Sequence, residues 1–371
     1  MGGTWQTGDW NIAHNPTAWE MMFDAVPAEN IGLEWEPCHQ MSSLIDPIPQ
    51  LRKWAPKVFH VHGKDATIAW DIVKEYGVHG PREFVWHRTP GFGDTNWSDI
   101  ITILRQNGYQ GTIDIEGWHD PVYKDELEMT GQTARRTGNI QAVMQNRRFD
   151  PRIRAYRQLI SDGTIGQVGF AGADFFLGPH FGGFRDLMDS PLLLDMAIHT
   201  FDQARYILGA NPVSVYCHEF NPPGSWYKGN AMALCIFEMS DGSVFNYRGS
   251  WCTEGVPTSW EASWRVTGEK GTAIWDGHDD IYAEVVSAQR LDAEGKPSFF
   301  QPCERIEGQQ PVMEKTGHHG CLEDMFAALE SGQLPETDCS DNQFSMAMVL
   351  ASLESARTGQ KVFIADLLKT V

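Results

Sequence analysis

SPLLLDMAIHTFDQARYILG, Ser190 to Gly209, is the stretch on which the reading of this chain turns. Ser190 can accept a hydrogen bond from the free amides of a first helical turn, Pro191 suits the first helical position, and Gly209 can take the left-handed stop, so both ends of one helix are marked. Between them nearly every residue is apolar except Asp195, His199 and Asp202, which fall at i, i+4 and i+7 and would share a face. Such a stripe on a buried helix has two readings. Either a core carboxylate and imidazole satisfy each other, or Asp195 orients His199 at a cleft wall so that the ring moves a substrate hydroxyl proton.

Outward from this helix, 371 residues at 42% hydrophobic give room for two domains with sizeable cores. A formal charge of −20 speaks against a nucleic-acid backbone or an anionic membrane as partner. Seven cysteines with no C-x-x-C pair point to reduced thiols in a cytosol. The start MGGTWQTGDW has neither a basic cluster nor an apolar core, and no apolar run approaches about 18 residues. The expectation is a cytoplasmic protein without export signal or membrane span.

In chain order, the sequence predicts a helix ending near Phe23, a strand over Ile31–Glu36, a helix at IPQLRKW, a strand over Lys57–His62, a helix at NWSDIITILRQNG, a strand over Gly111–Glu116 and a further helix start at DELEMTGQ. Strands alternating with helices imply parallel βα units. Polar groups close each strand: Glu36 with His39 beyond it, His60 and His62, then Glu116 with His119 beyond it. They are either solvated loop residues or, on the face where barrels build chemistry, a carboxylate and imidazole set suited to Mn²⁺, Mg²⁺, Co²⁺ or Zn²⁺. The second half reads as α+β. A helix at Pro151–Ser161 precedes GQVGFAGADFF, and VSVYCHEF, AMALCIFEM, SVFNYRGSW and EASWRVTG alternate with short turns, predicting a largely antiparallel sheet before closing helices at Gly320–Ser331 and Asn342–Thr358. Trp251, Trp260 and Trp264 serve core or interface packing, or act as sugar platforms.

A dinucleotide cradle needs glycines between a strand and a helix and an acid about 20 residues on. Gly91-Phe92-Gly93 lacks a third glycine, Gly163, Gly166 and Gly169 enter a strand, and Gly182-Gly183 precedes no helix at the right distance. No cofactor-binding residues are assigned.

The D-x-x-x-H-x-x-D pattern of Asp195, His199 and Asp202, NRRFDPRIRAYRQLISDGTIGQV (Asn146 to Val168), GEKGTAIWDG (Gly268 to Gly277) and the stretch from His318 to Val362 together resemble the Gfo/Idh/MocA family of sugar oxidoreductases. The likeness runs over 133–371. It implies a sugar or cyclitol substrate, hydride exchange with NAD or NADP, His199 and Asp195 as the catalytic pair, Arg148 and His180 along the substrate pocket, and a homo-oligomer formed through the C-terminal sheet. Residues 133–150 match the tail of the family's Rossmann domain; the rest of that domain, with its glycines and its catalytic lysine, is missing.

LEWEPCH, VFHVHGKD, GFGDTNW and TIDIEGWHD resemble, over 1–132, the second half of a xylose-isomerase-like sugar isomerase/epimerase barrel. That likeness implies Glu36, His62 and Glu116 as ligands of a divalent metal and His39 as a substrate-side group, with His60, Lys64 and Asp65 in the same motif. Glu36 stands where the family pattern has aspartate, and the family's fourth ligand would lie upstream of Met1. The expected architecture is thus a partial TIM barrel of βα units joined near Gln132, without a linker, to a Gfo/Idh/MocA-type α+β domain. The expected function is that of a carbohydrate oxidoreductase, inactive alone because the cofactor domain is absent. The alternatives are a metal-dependent sugar isomerase, epimerase or dehydratase, and a noncatalytic sugar-binding or assembly subunit or truncated fusion product.

Overall fold

The computed structural model describes residues 13–115, 141–287, 291–296 and 298–368. The chain divides into two units, Met1–Glu126 and Leu127–Val371.

In the first unit, helix α1 (Pro16–Ala25) starts where the Asn15 side chain accepts from the Ala18 amide at 2.9 Å. Strand β1 (Leu33–Trp35) leads into α2 (Pro37–Ser42) and α3 (Pro47–Trp54), the latter capped by Asp46. Strands β2 (Val58–Gly63) and β3 (Asp65–Ile68) follow, then α4 (Trp70–Tyr76), β4 (Val85–Arg88), α5 (Trp97–Gln106), capped by Asn96, and β5 (Ile113–Ile115). Strands β1, β2 and β5 form a parallel sheet in the order β1-β2-β5, as the alternation of strands and helices predicts. The antiparallel pair β3–β4 and the helix α4 have no counterpart in the sequence reading. Trp35, Val58 and Val61 pack with Leu51, Ile100 and Leu104 in the unit's core. The register steps from Leu33↔Val58 to Glu34↔His60, leaving Phe59 as an extra residue. This bulge keeps Val58 and Val61 buried while His60 and His62 stay partly exposed.

The second unit is built on a nine-stranded mixed sheet. Helix α6 (Pro151–Ser161), capped by Asp150, precedes β6 (Val168–Phe176); helix α7 (Ala197–Leu208) precedes β7 (Pro212–Phe220), β8 (Met232–Met239) and β9 (Val244–Ser250). Then come β10 (Ser263–Gly268), β11 (Gly271–Trp275), β12 (Ile281–Val286), β13 (Cys303–Glu307), helices α8 (Gly317–Ser331) and α9 (Cys339–Thr358), β14 (Val362–Phe363) and α10 (Ile364–Leu368). The order is β13-β12-β11-β10-β6-β9-β8-β7-β14; β6 and β9 run parallel and every other neighbouring pair antiparallel. Strict alternation fixes its faces: on β8, Ala233, Cys235, Phe237 and Met239 are buried, whereas Leu234, Ile236 and Glu238 are exposed. Helices cover the buried face. Phe201 of α7 meets Phe237 at 5.0 Å and Tyr247 at 5.1 Å, and each such ring contributes about 2 kcal/mol by leaving water. No helix among the described residues is long and apolar enough to cross a membrane.

The stretch that opens the sequence reading is not one regular helix. Leu192–Met196 forms a π-turn and only Ala197–Leu208 is α-helical, ending as expected on Gly209 with φ 64°. Ser190 does not cap it: its Oγ donates to Glu219 Oε2 at 2.9 Å. A single wide turn inside a helix changes which way successive side chains point, and such turns recur at functional sites. Here it separates Asp195 from the residues that follow it.

Candidate functional site

The expected bond between Asp195 and His199 is replaced by two separate arrangements. Asp195 Oδ2 accepts from Arg185 Nε at 2.9 Å, drawing the carboxylate toward the short 3₁₀ turn Gly183–Leu187. His199 is left with Nδ1 buried and without a partner. Burial, together with the charges of Arg147 and His318, pushes its pKa down to about 3, so the ring is neutral at physiological pH.

Asp202, the third member of the stripe, belongs to the core. Arg148 donates to it through Nε at 2.7 Å and Nη2 at 2.5 Å, reaches Asp341 at 3.0 Å and gives Nη1 to the Glu336 carbonyl at 3.1 Å. Ser345 Oγ adds a further bond to Asp202 at 2.8 Å. Burial opposes the charge on Arg148, but Asp202 and Asp341 outweigh it and hold the guanidinium pKa above its ordinary value. Both acceptor-rich partners leave Arg148 fully engaged in structure.

Its neighbour Arg147 takes the place at His199. From the 3₁₀ turn Asn146–Phe149 it reaches Gln203 Oε1 only at 3.4 Å, Met196 Sδ at 3.9 Å and Glu261 Oε2 at 3.8 Å. Gln203 Nε2 closes the circuit to Glu261 Oε2 at 2.8 Å. This guanidinium is buried yet loosely held. Burial pulls the Arg147 pKa down and pushes that of Glu261 up, each partly offset by the other's charge. Glu261 is aimed by its neighbour: the buried Ala262 has φ 64°, a left-handed conformation costing a non-glycine residue about 1–3 kcal/mol, and a Cβ on Gly277 would stand 2.1 Å from the Ala262 carbonyl oxygen. Arg147, Gln203 and Glu261 were not singled out in the sequence; the doubled arginine of NRRFD marks the position but not which of the two turns inward. His180 is exposed, its Nε2 donating to Glu254 Oε1 at 2.7 Å and its ring stacked on Trp226 at 3.7 Å.

In the first unit Glu36, His39 and His62 do come together. The buried Glu36 lies 3.6 Å from His39 Nε2 through Oε1 and 3.5 Å from His62 Nδ1 through Oε2, and His62 Nε2 is 2.8 Å from Glu34. His60 Nε2 stands 3.1 Å from Asp114. Both His62 nitrogens therefore face carboxylates in pairs, and among the described residues no group of three or more His, Cys, Asp or Glu is placed to hold a metal ion. Glu116 and His119 lie outside the described residues. Asp65 is a structural hub: its carboxylate accepts from the amides of Gly91, Gly93 and Thr95 at 3.2–3.3 Å and from Trp97 Nε1 at 3.0 Å.

Each unit matches a different family. Residues 153–274 match the GFO/IDH/MocA C-terminal domain, and residues 4–137 the xylose isomerase-like TIM barrel. The chain is 28% identical to the uncharacterized protein y4oX of Sinorhizobium fredii, over 74% of this chain and 78% of that one. It is 32% identical to the inosose dehydratase of Clostridium tetani, over 26% of this chain and 34% of the relative. With the inositol 2-dehydrogenase of Rhizobium meliloti it shares 40% identity over 19% of this chain and 21% of the relative. The chain thus spans about a third and a fifth of these two enzymes' lengths. An oxidoreductase from Agrobacterium radiobacter, solved with NAD⁺, L-tartaric acid and magnesium, superposes with a TM-score of 0.56 at 19% identity over 74% of this chain and 80% of its own, a likeness of fold.

The loop Gly91-Phe92-Gly93 does not suit a dinucleotide. The amides that a pyrophosphate would use are taken by the Asp65 carboxylate, and a Cβ on Gly93 would stand 2.5 Å from both Asp65 Oδ1 and the Ala66 carbonyl oxygen. These glycines serve the packing of β3 against their own loop.

Proposed function

We propose that the second unit is the sugar- or cyclitol-binding part of a GFO/IDH/MocA-type oxidoreductase, with His199 at its centre. The observation that carries this reading is the neutral imidazole set among Arg147, Gln203 and Glu261 on a helix that opens with a π-turn. Such a set offers guanidinium and amide donors, a carboxylate acceptor and an imidazole to a polyol, each able to orient one hydroxyl. Arg147, whose own bonds are long, gains most from a ligand oxygen. His199 accepts the hydrogen bond of the hydroxyl to be oxidised; Asp195 is held by Arg185 and does not raise its basicity. With a pKa near 3 the ring is a poor proton store, because general bases work best near the operating pH.

Hydride transfer by this chain alone is not part of the proposal, and no step is routed through a nicotinamide. Calorimetric titration of the purified chain with myo-inositol, scyllo-inosose, glucose and NAD⁺ tests the reading. Polyol binding lost in His199→Ala and Arg147→Met, with no uptake of NAD⁺, is the expected result; absence of any polyol binding, or tight NAD⁺ binding, refutes it.

The open face of the large sheet supports a homo-oligomer as part of the same reading. Phe170, Tyr216, Leu234 and Ile236 are exposed there, beside a cavity of about 500 Å³ lined by Asp174, Asn246, Arg248 and Arg265. Sedimentation of wild type against Ile236→Glu checks it, a monomeric wild type being the contrary outcome.

A second reading attaches to the first unit, favoured by the approach of Glu36, His39 and His62 and by the inosose dehydratase relatives. It assigns this unit a metal-dependent isomerase, epimerase or dehydratase role. Metal content after dialysis, compared with Glu116→Gln and His62→Ala, decides it; no bound metal ends it.

A further inference from the structure

Three half-exposed or buried rings that adjoin Glu261 and Arg185 have no part in the proposed function. Trp251, 1% exposed, supports two others: Trp260, 48% exposed, edge-on at 5.7 Å, and Phe181, 51% exposed, at 5.9 Å. These rings are tied to the polar cluster from both sides. Trp260 directly precedes Glu261, whose carboxylate turns inward to Gln203 while the indole turns out. Phe181 lies against the Arg185 guanidinium at 5.0 Å, and Phe184 covers it at 4.8 Å. Arg185 donates to Asp195 through Nε, and among the described residues its two Nη groups make no hydrogen bond, which leaves them as donors.

We infer that Phe181 and Trp260, with the Arg185 guanidinium against Phe181, form an outer subsite for a second sugar ring, so that the ligand is a glycoside of two or more rings. This rests on the reading of the His199 cluster as a polyol site. The composition favours a sugar over other apolar occupants: flat rings suit the C–H faces of a pyranose, and a guanidinium edge beside them suits its hydroxyls. Burial separates the two subsites. The inner groups Arg147, Gln203 and Glu261 are largely enclosed and, on the reading this rests on, take a single ring, whereas the aromatic pair stands half in solvent, where a lone monosaccharide held by the inner groups would leave it uncovered.

The test is calorimetric titration of the full chain with glucose, cellobiose and maltose, repeated on Trp260→Ala, Trp260→Phe and Phe181→Ala. At least one disaccharide should bind about tenfold more tightly than glucose, as an aromatic stacking contact implies. Trp260→Ala and Phe181→Ala should erase that gap while glucose affinity stays within about twofold, and Trp260→Phe should retain part of it, which also guards against a folding defect. Equal affinities for glucose and both disaccharides in the wild type, or a gap that survives both alanine variants, overturn the outer subsite and leave the inner one standing. Failure of all three sugars and of the cyclitols to bind overturns the His199 reading itself.

Discussion

Arg147 and Arg148 are adjacent in sequence and opposite in consequence, and replacing each by methionine separates structure from ligand recognition. Arg148→Met removes a bidentate contact to a carboxylate whose side chain is 2% exposed, and also a bond to Asp341 and one to the Glu336 carbonyl. Breaking one side of a buried ion pair costs about 3–5 kcal/mol, because the remaining charge stays desolvated. Asp202 keeps Ser345 at 2.8 Å and the more distant Arg205 at 3.8 Å, which places the loss at the lower end, about 3 kcal/mol. For a unit of this size that lowers the midpoint by roughly 6–12 °C. Arg147→Met gives up only contacts of 3.4–3.9 Å and relieves the desolvation of a cation, so its stability should change by less than about 1 kcal/mol while polyol binding disappears. Differential scanning calorimetry with polyol titration of both variants provides the comparison. A stable Arg148→Met that has lost ligand binding would refute the reasoning and return Arg148 to the pocket side.

Two titrations run in opposite senses. The folded pKa of His199, near 3, is below its ordinary 6.5, so the native state binds fewer protons than the unfolded one between those values. Its contribution is complete above pH 6.5 and is lost on acidification at up to about 1.4 kcal/mol per pH unit; His199→Gln should flatten that limb of the stability curve. Glu219, pushed up to about 7 by burial against its bonds from Ser190 and Asn230, does the reverse: stability falls as pH rises from 4.5 to 7, by less than 1.4 kcal/mol per unit because the group is partly solvated. Glu219→Gln should remove that slope in urea titrations at pH 5 and 7, and an unchanged slope would discard the assignment. Gly93→Ala should destabilise the first unit by at least about 1 kcal/mol, since its Cβ meets backbone and the Asp65 hub at 2.5 Å; hydrogen exchange of the Gly91, Gly93 and Thr95 amides reads the loss, and unaltered protection would contradict it.

The division of elements was legible because it rests on local signals. Asp46, Asn96, Asp150 and Gly209 mark helix ends, and alternation along strands such as β8 marks a one-sided sheet. The β3–β4 pair was not, since DATI and VWHR are short and are separated by the helix α4 instead of a tight turn; their partner is the Asp65-centred loop, a contact between residues about 30 apart. Nor could the sequence show the π-turn. Asp195, His199 and Asp202 have helical spacing in either case, and what redirects Asp195 is Arg185, an arginine in a glycine-rich loop whose path no periodicity describes.

The same limit explains the exchange of the two arginines. A doubled basic residue ahead of an Asp-Pro helix start offers two side chains pointing in different directions, and which one meets Asp202 depends on where α9 brings Asp341 and Ser345, nearly 200 residues later. Once Arg148 is fixed by that contact, Arg147 is left facing the helix at His199 with weak bonds and an intact charge. A site made this way follows from the core. Asp195, the carboxylate that the sequence offers to the imidazole, is held by Arg185, Asp202 is consumed in holding Arg148, and burial, with the charge of Arg147 added, depresses the imidazole pKa instead of a carboxylate raising it. His199 should therefore gain some basicity when Arg147 is removed: in Arg147→Met its pKa, followed by the imidazole resonances, should rise from about 3 while burial, the larger cause, keeps it below 6.5, and a value that stays near 3 would leave burial and the charge of His318 as the causes.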